Sequence, residues 1–222
     1  MNLIKDKGFE FKFFHEKSDE HTKAIYLRHD IDFSLEDAFQ IASVEKELNI
    51  KSTYFIMLSS NSYNPLNQIN KELIRKIIDL GHEISLHFDP NSYDDFTEGF
   101  NIEKIIFENS FKSSIKVVSL HRPGVFLNSE YRNTSLGGHM HTYQDMFFNK
   151  MEYFSDSRGV DVREILNSSK LSDLKKDLHL LIHPIWWTKK SRNPKERLIL
   201  WLNEYSSFLL SETKKNCKVF GV

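Results

Sequence analysis

The chain has 222 residues, 40% of them hydrophobic, with 30 basic residues against 31 acidic ones and a formal charge of −1. Residues 1–222 fit one domain with one sizeable core. The balanced charge excludes a general nucleic-acid binder, and the single cysteine, Cys217, excludes a disulfide framework or a cysteine-rich zinc module. Charges at Lys5, Asp6, Lys7, Glu10 and Lys12 leave no signal-peptide apolar stretch. No run reaches the ~18 apolar residues of a membrane helix, so a cytoplasmic protein with no transmembrane segment is expected.

Lys23 to His29 reads as the first strand, and Leu35 to Leu48 follows as a helix with Ala38, Ile41, Ala42 and Leu48 on one face. Ser52 to Met57 is a second strand. Ile69 to Leu80 is a helix carrying Leu73, Ile74, Ile77 and Ile78 on one stripe, with Gly81 placed to stop it. Glu83 to Leu86, a helix within Ile102 to Phe111, and Ile115 to Leu120 continue the alternation. Leu127 to Gln144 reads as a long polar loop, with His139 and His141 on it. Strands return at Met151 to Phe154 and Leu178 to Ile182. A last helix runs from Pro194 to about Leu210, with Leu198, Trp201, Leu202, Tyr205, Phe208 and Leu209 expected on its buried face. Strands alternating with helices imply a parallel sheet covered by helices, open or closed into a barrel.

Parallel α/β proteins bind ligands at the carboxyl ends of their strands. The first strand ends in Arg28-His29-Asp30-Ile31-Asp32, the third in His87-Phe88-Asp89, the fourth in His121-Arg122-Pro123 and a late one in His183-Pro184. Asp30 and Asp32 are two apart, so an extended backbone turns both to one face. Two neighbouring carboxylates repel unless a cation or shared proton compensates. One of them binding a metal while the other takes a proton from water satisfies that demand; a helix cap at Asp32 is the plain alternative. His87, closing an apolar strand beside these acids, is the leading metal ligand. His82, at the other end of that strand, and His29, alternating away from Asp30, read as structural.

These segments, in order, resemble the NodB-homology polysaccharide deacetylases, the fourth carbohydrate esterase family. RHDID resembles the first motif, GHEISLH the second, HRPG the third, FSDSRG the fourth and LLIHP the fifth. The resemblance implies a distorted (β/α)7 barrel that hydrolyses an N-acyl group from an amino sugar. It implies Asp30 as proton acceptor, Asp32 as metal ligand, Arg122 as the residue orienting Asp30, and His183 as general acid. Two positions depart from the pattern: Ile31 separates the aspartates, and Asn91 stands where the usual second metal histidine would be. His121, Asp89 and Asn91 are the available third ligands, and His121 is favoured as a nitrogen donor at a neighbouring strand end. An Asp32, His87 and His121 set suits one divalent ion, zinc before cobalt, nickel or manganese.

A nucleotide-linked or lipid-linked amino sugar, or an oligosaccharide, is the expected substrate, within surface polysaccharide synthesis. Trp186 and Trp187 offer aromatic faces for a sugar ring, or one of them plugs the barrel mouth. A degenerate glycan-binding relative and a D-x-D glycosyltransferase are the alternatives. The second is disfavoured because only 29 residues precede Asp30 and none forms a phosphate-binding loop.

Overall fold

The computed structural model describes residues 8–18, 21–128, 130–163, 166, 174 and 176–220. Lys5, Asp6 and Lys7 of the charged amino-terminal stretch lie outside them. Eight parallel strands are described: β1 (Phe9–Lys12), β2 (Lys23–Ile31), β3 (Thr53–Ile56), β4 (Glu83–Phe88), β5 (Val117–Leu120), β6 (Met140–His141), β7 (Glu152–Ser155) and β8 (Leu178–Ile182). The longer helices are α1 (Leu35–Glu47), α2 (Gln68–Asp79), α3 (Phe96–Phe111) and α4 (Pro194–Asn216).

The strands run in the order β6-β5-β4-β3-β2-β8-β7. β2 is long enough to pair with β8 along one edge and, end to end, with β1 and then β3 along the other. In a flat sheet β2 and β5, three positions apart, would stand roughly 14 Å from each other. Yet Ser119 on β5 donates to Asp30 on β2 at 3.0 Å, so the sheet curls round until its inward side chains meet. The result is the expected distorted (β/α)7 barrel, with no pairing between β6 and β7 among the described residues.

Alternation along each strand sorts the barrel into layers. Outward residues of β2 to β5, such as Ile31, Tyr54, Ile56, Leu86 and Leu120, pack against Ala38, Ala42, Ile74, Ile77, Phe100 and Phe107 of the helices. The amino end of the interior is apolar, built from Phe14, Tyr26, Phe55, Val117 and Phe147. Phe14 is the plug, its ring 5.3 Å from that of Phe147 and 5.2 Å from that of His179. Above this floor the interior turns polar, with Arg28, Asp30, Ser85, His87 and Ser119 all buried.

Gly81 ends α2 as its sequence position suggests. Its φ of 93° lets Gly81 N–H reach Ile78 O and His82 N–H reach Ile77 O, a left-handed stop that any Cβ would strain. Three segments differ from the sequence reading. Phe9 and Phe11 alternate with Glu10 and Lys12 to form β1, a period-2 signal short enough to pass for a charged tail. Residues 127–144 are not a bare loop: they hold β6, and His141 is fully buried rather than exposed. Burial, with the Arg28 charge adding to it, pushes the His141 imidazole down to about 4. The last helix extends to Asn216 and has no buried residue; Leu202, Phe208 and Leu209 are exposed. It is held through Trp201, whose ring lies 5.0 Å from Phe33, and through Lys189, which pairs with both Asp37 and Glu204. Helical periodicity identifies a stripe but not whether the body extends beneath all of it. No described helix is long and apolar enough to cross a membrane.

Between α1 and the sheet sits a buried polar network. Glu45 accepts from His29 Nε2 at 2.8 Å, Ser52 Oγ at 2.6 Å and Tyr54 Oη at 2.8 Å. His82 joins it, with Nδ1 2.8 Å from Ser52 Oγ and Nε2 bonded to Ala42 O. Both histidines are thus structural. Burial alone would raise the Glu45 carboxyl, but the His29 charge and hydrogen bond and the Ser52 hydroxyl hold it below its ordinary 4.5. Glu45→Ala strands buried donors and should cost about 3–5 kcal/mol in urea unfolding at neutral pH. Because the folded carboxyl is depressed, the contribution is complete above 4.5 and fades as pH falls through the folded value. The variant should therefore lose less than the parent on acidification.

Candidate active site

β2 turns Arg28 and Asp30 inward, and the loop after it turns Asp32 the same way. Asp32 does not cap α1: Ser34 does, accepting Asp37 N–H at 3.1 Å, which leaves both Asp32 oxygens free for the barrel mouth. Asp32 Oδ1 lies 3.2 Å from His87 Nε2 and 3.6 Å from His121 Nδ1, and those two nitrogens are 3.2 Å apart. A tetrahedral ion with bonds of about 2.0–2.1 Å sets its ligands roughly 3.3–3.4 Å apart. The triangle has the dimensions of one tetrahedral face. Asp32 Oδ1 is also buried without a hydrogen bond among the described residues, an expensive state for a carboxylate oxygen unless a cation answers it. Residues present here therefore fit a divalent metal. Burial would raise the Asp32 carboxyl, but His121, His87 and the His183 charge hold it well below the usual carboxylate range.

The remaining oxygen, Asp32 Oδ2, faces His183 Nε2 at 3.8 Å. His183 is fixed from behind by Asp156, whose Oδ1 lies 2.6 Å from its Nδ1 and accepts its backbone N–H at 3.0 Å. Trp187 Nε1 donates to Asp156 Oδ2 at 2.7 Å. Burial works against a charge on His183, yet the Asp156 hydrogen bond and charge, with those of Asp32 and Asp30, push the imidazole up to about 9. His183 thus carries a proton at neutral pH and aims Nε2 at the mouth.

Asp30, 2% exposed, accepts from Ser119 Oγ at 3.0 Å and from Arg28 Nη2 at 3.1 Å. Here the structure corrects the expectation for Arg122. That residue adopts a left-handed backbone, φ 45°, with an exposed side chain, and its carbonyl accepts from Asn91 Nδ2. The interior place is already filled by Arg28, which shares the Asp30 face of β2 and is fully buried. Arg28 also donates to Thr142 Oγ1 and, at 2.9 Å, to Tyr143 Oη. Asp89 is occupied in capping, accepting Asn91 N–H at 2.9 Å and Asn91 Nδ2 at 3.0 Å, so neither residue joins the triangle.

Two residues of the site escaped the sequence reading. Arg28 had a signal: Arg28, Asp30 and Asp32 alternate on one strand, and an inward arginine needs a carboxylate. Asp156 had none beyond its place in FSDSRG, because its role depends on β7 lying beside β8.

No protein-family model matches this sequence, and a search of characterised proteins finds no match. Solved structures do match. The chain is similar to the peptidoglycan deacetylase PdaC of Bacillus subtilis, with TM-score 0.51 and 16% identity over 90% of this chain and 98% of that one. It is also similar to a polysaccharide deacetylase of Bacillus cereus, with TM-score 0.50 and 17% identity over 83% and 89% of the two chains. The chain has the NodB-type polysaccharide deacetylase fold, in a divergent form.

Asp156→Asn removes the charge behind His183. An NMR titration should show the His183 pKa falling from about 9 toward the ordinary 6.5. Because the folded value is raised, the parent's stabilisation is complete below 6.5 and is lost as pH rises through about 9; the variant should lack that dependence. Arg28→Met leaves Asp30 buried without its cation and should cost about 3–5 kcal/mol in urea unfolding, whereas Arg28→Lys, keeping the charge, should cost clearly less.

Proposed function

We propose that this chain is a metal-dependent hydrolase that removes an N-acyl group, acetyl or formyl, from an amino sugar. The observation that carries the reading is the triangle of Asp32 Oδ1, His87 Nε2 and His121 Nδ1, set between a buried carboxylate, Asp30, and a protonated histidine, His183. Two nitrogens and one oxygen suit zinc best among the first-row divalent ions. When bound there, such an ion supplies Lewis-acid polarisation of the acyl carbonyl and acidifies the attacking water.

The chain's own groups divide the proton work. Asp30 is held by Arg28 and oriented by Ser119, with lone pairs left to accept the proton of the attacking water. His183 holds its proton on Nε2, because Asp156 occupies Nδ1, and delivers it to the departing amine nitrogen. Amine departure without that proton would expel an anion of very high basicity, so a pre-charged donor lowers the barrier where it is steepest. The substrate is a carbohydrate, and Trp186, half-exposed three residues after His183, offers an aromatic face for a ring.

That His121 stands beside His87 favours an intact hydrolytic site over a glycan-binding relative. The ground for the degenerate alternative is Asn91 at the usual histidine position, and another strand end provides the nitrogen.

Metal content and turnover of N-acylated sugars, measured together, test the assignment. Asp30→Asn should retain metal and lose about 10²–10⁴ in rate. Asp32→Asn, His87→Ala and His121→Ala should lose metal and activity together. Full metal in the His87 variant, or full activity in both aspartate variants, would sink the reading.

A further inference from the structure

Next to the site, and outside the proton machinery, lies a second cleft of about 80 Å³ between the loop after β7 and the start of α4. Arg163, Arg192, Arg197 and Trp186 line it, and Trp187 forms the wall shared with the Asp156–His183 pair. Three guanidinium groups around one small space repel one another and need anions. Arg163 has one: Asp161 accepts from its Nε at 2.8 Å and its Nη2 at 2.5 Å. Among the described residues neither Arg192 nor Arg197 forms an ion pair, and the described partner of Arg197 is a neutral one, the Ser191 carbonyl.

The backbone adds to this positive field. α4, 23 residues long, begins beside the cleft with Pro194 and points its positive end there, with Asn193 capping Lys195 N–H and with Glu196 in the first turn. Gly159 makes the approach possible: a Cβ would stand 2.6 Å from Pro194 Cβ and Cγ, and φ is 74°. An arginine fork matches a tetrahedral oxyanion through paired N–H groups, and helix starts favour the same ligand. Burial and the neighbouring Arg163 charge lower the Arg197 pKa against the opposing pull of Asp161, which also lines the cleft, and of Asp156.

We infer that this cleft is a phosphate subsite, in which Arg192 and Arg197 hold a phosphoryl group of a glycosyl phosphate or diphosphate while Trp186 faces the adjoining ring. The inference deepens the hydrolase reading, and rests on it only for what the rest of the substrate is. It places the carrier of the amino sugar, rather than the sugar alone, among the groups recognised.

Two of the three tryptophans line the cleft, so fluorescence reports its occupancy without any need for turnover. The full chain is titrated with inorganic phosphate, uridine diphosphate, farnesyl diphosphate and methyl glucuronoside. Saturable quenching by phosphate and by at least one diphosphate is expected. Binding should weaken at least tenfold in Arg192→Gln/Arg197→Gln, because hydrogen bonds between a guanidinium and a phosphate carry charge on both partners and are among the strongest a protein makes. It should persist in His87→Ala, which separates this cleft from phosphate bound at a metal. Tighter uridine diphosphate points to a nucleotide carrier and tighter farnesyl diphosphate to a lipid carrier. The inference is overturned if no probe saturates, if the double variant binds as the parent does, if only His87→Ala abolishes binding, or if the glucuronoside binds as tightly as phosphate. Arginine-dependent binding in a protein that hydrolyses no acylated sugar would leave the subsite standing and remove the hydrolase reading. Arg192 is exposed and Arg197 half-buried, so circular dichroism checks that the double variant folds, and Arg192→Gln alone, a surface change, should weaken binding in the same direction.

Discussion

A buried guanidinium organises this molecule. Arg28 sits in the middle of β2 with its charge inside the barrel, and an uncompensated ion there would cost several kcal/mol. Its compensation comes from two directions: Asp30 on the same strand, and Thr142 and Tyr143 just beyond β6, at the far end of the strand order. Those contacts can form only if the sheet closes on itself. The charge that the interior must neutralise is therefore also what ties β2, inside the strand order, to the edge at β6, and it holds Asp30 in place at the base of the mouth.

From that anchor the site is assembled in layers. Aromatic rings around Phe14 seal the amino end, Arg28 and Asp30 fill the middle, and Asp32, His87, His121 and His183 crown the carboxyl end. Each carboxylate is divided between tasks by geometry. Asp32 turns one oxygen to two histidines and the other to His183, while Asp30 faces Arg28 and Ser119. Asp156 sits behind His183 as Arg28 sits beside Asp30. Asp30 is thus held by a cation and His183 by an anion, each partner fixing the group it faces.

The cleft beyond Trp187 extends the same electrostatic design outward. Trp187 touches Asp156 on one side and the Arg163 guanidinium on the other, 5.8 Å from its ring. The Asp156–His183 pair and the basic cleft thus share a wall.

Much of this was legible in the sequence, and for a definite reason. Strand alternation is local, so the period-2 spacing of Asp30 and Asp32, the helical stripe ending at Gly81 and the strand Leu178–Ile182 follow from neighbouring residues alone. Histidines at several strand ends pointed to one end of the barrel, where His87 and His121 do meet Asp32, because a parallel sheet gathers its strand ends at one face. What tertiary structure decided is which strand ends become neighbours. His121 stands beside His87 because β5 pairs with β4, and Asp156 reaches His183 because β7 pairs with β8. Arg28, not Arg122, meets Asp30 because a left-handed turn after β5 leaves Arg122 outside while the interior must satisfy the arginine already within it. Those choices are made by closing a curved sheet over a buried charge, and spacing along the chain holds no measure of that closure.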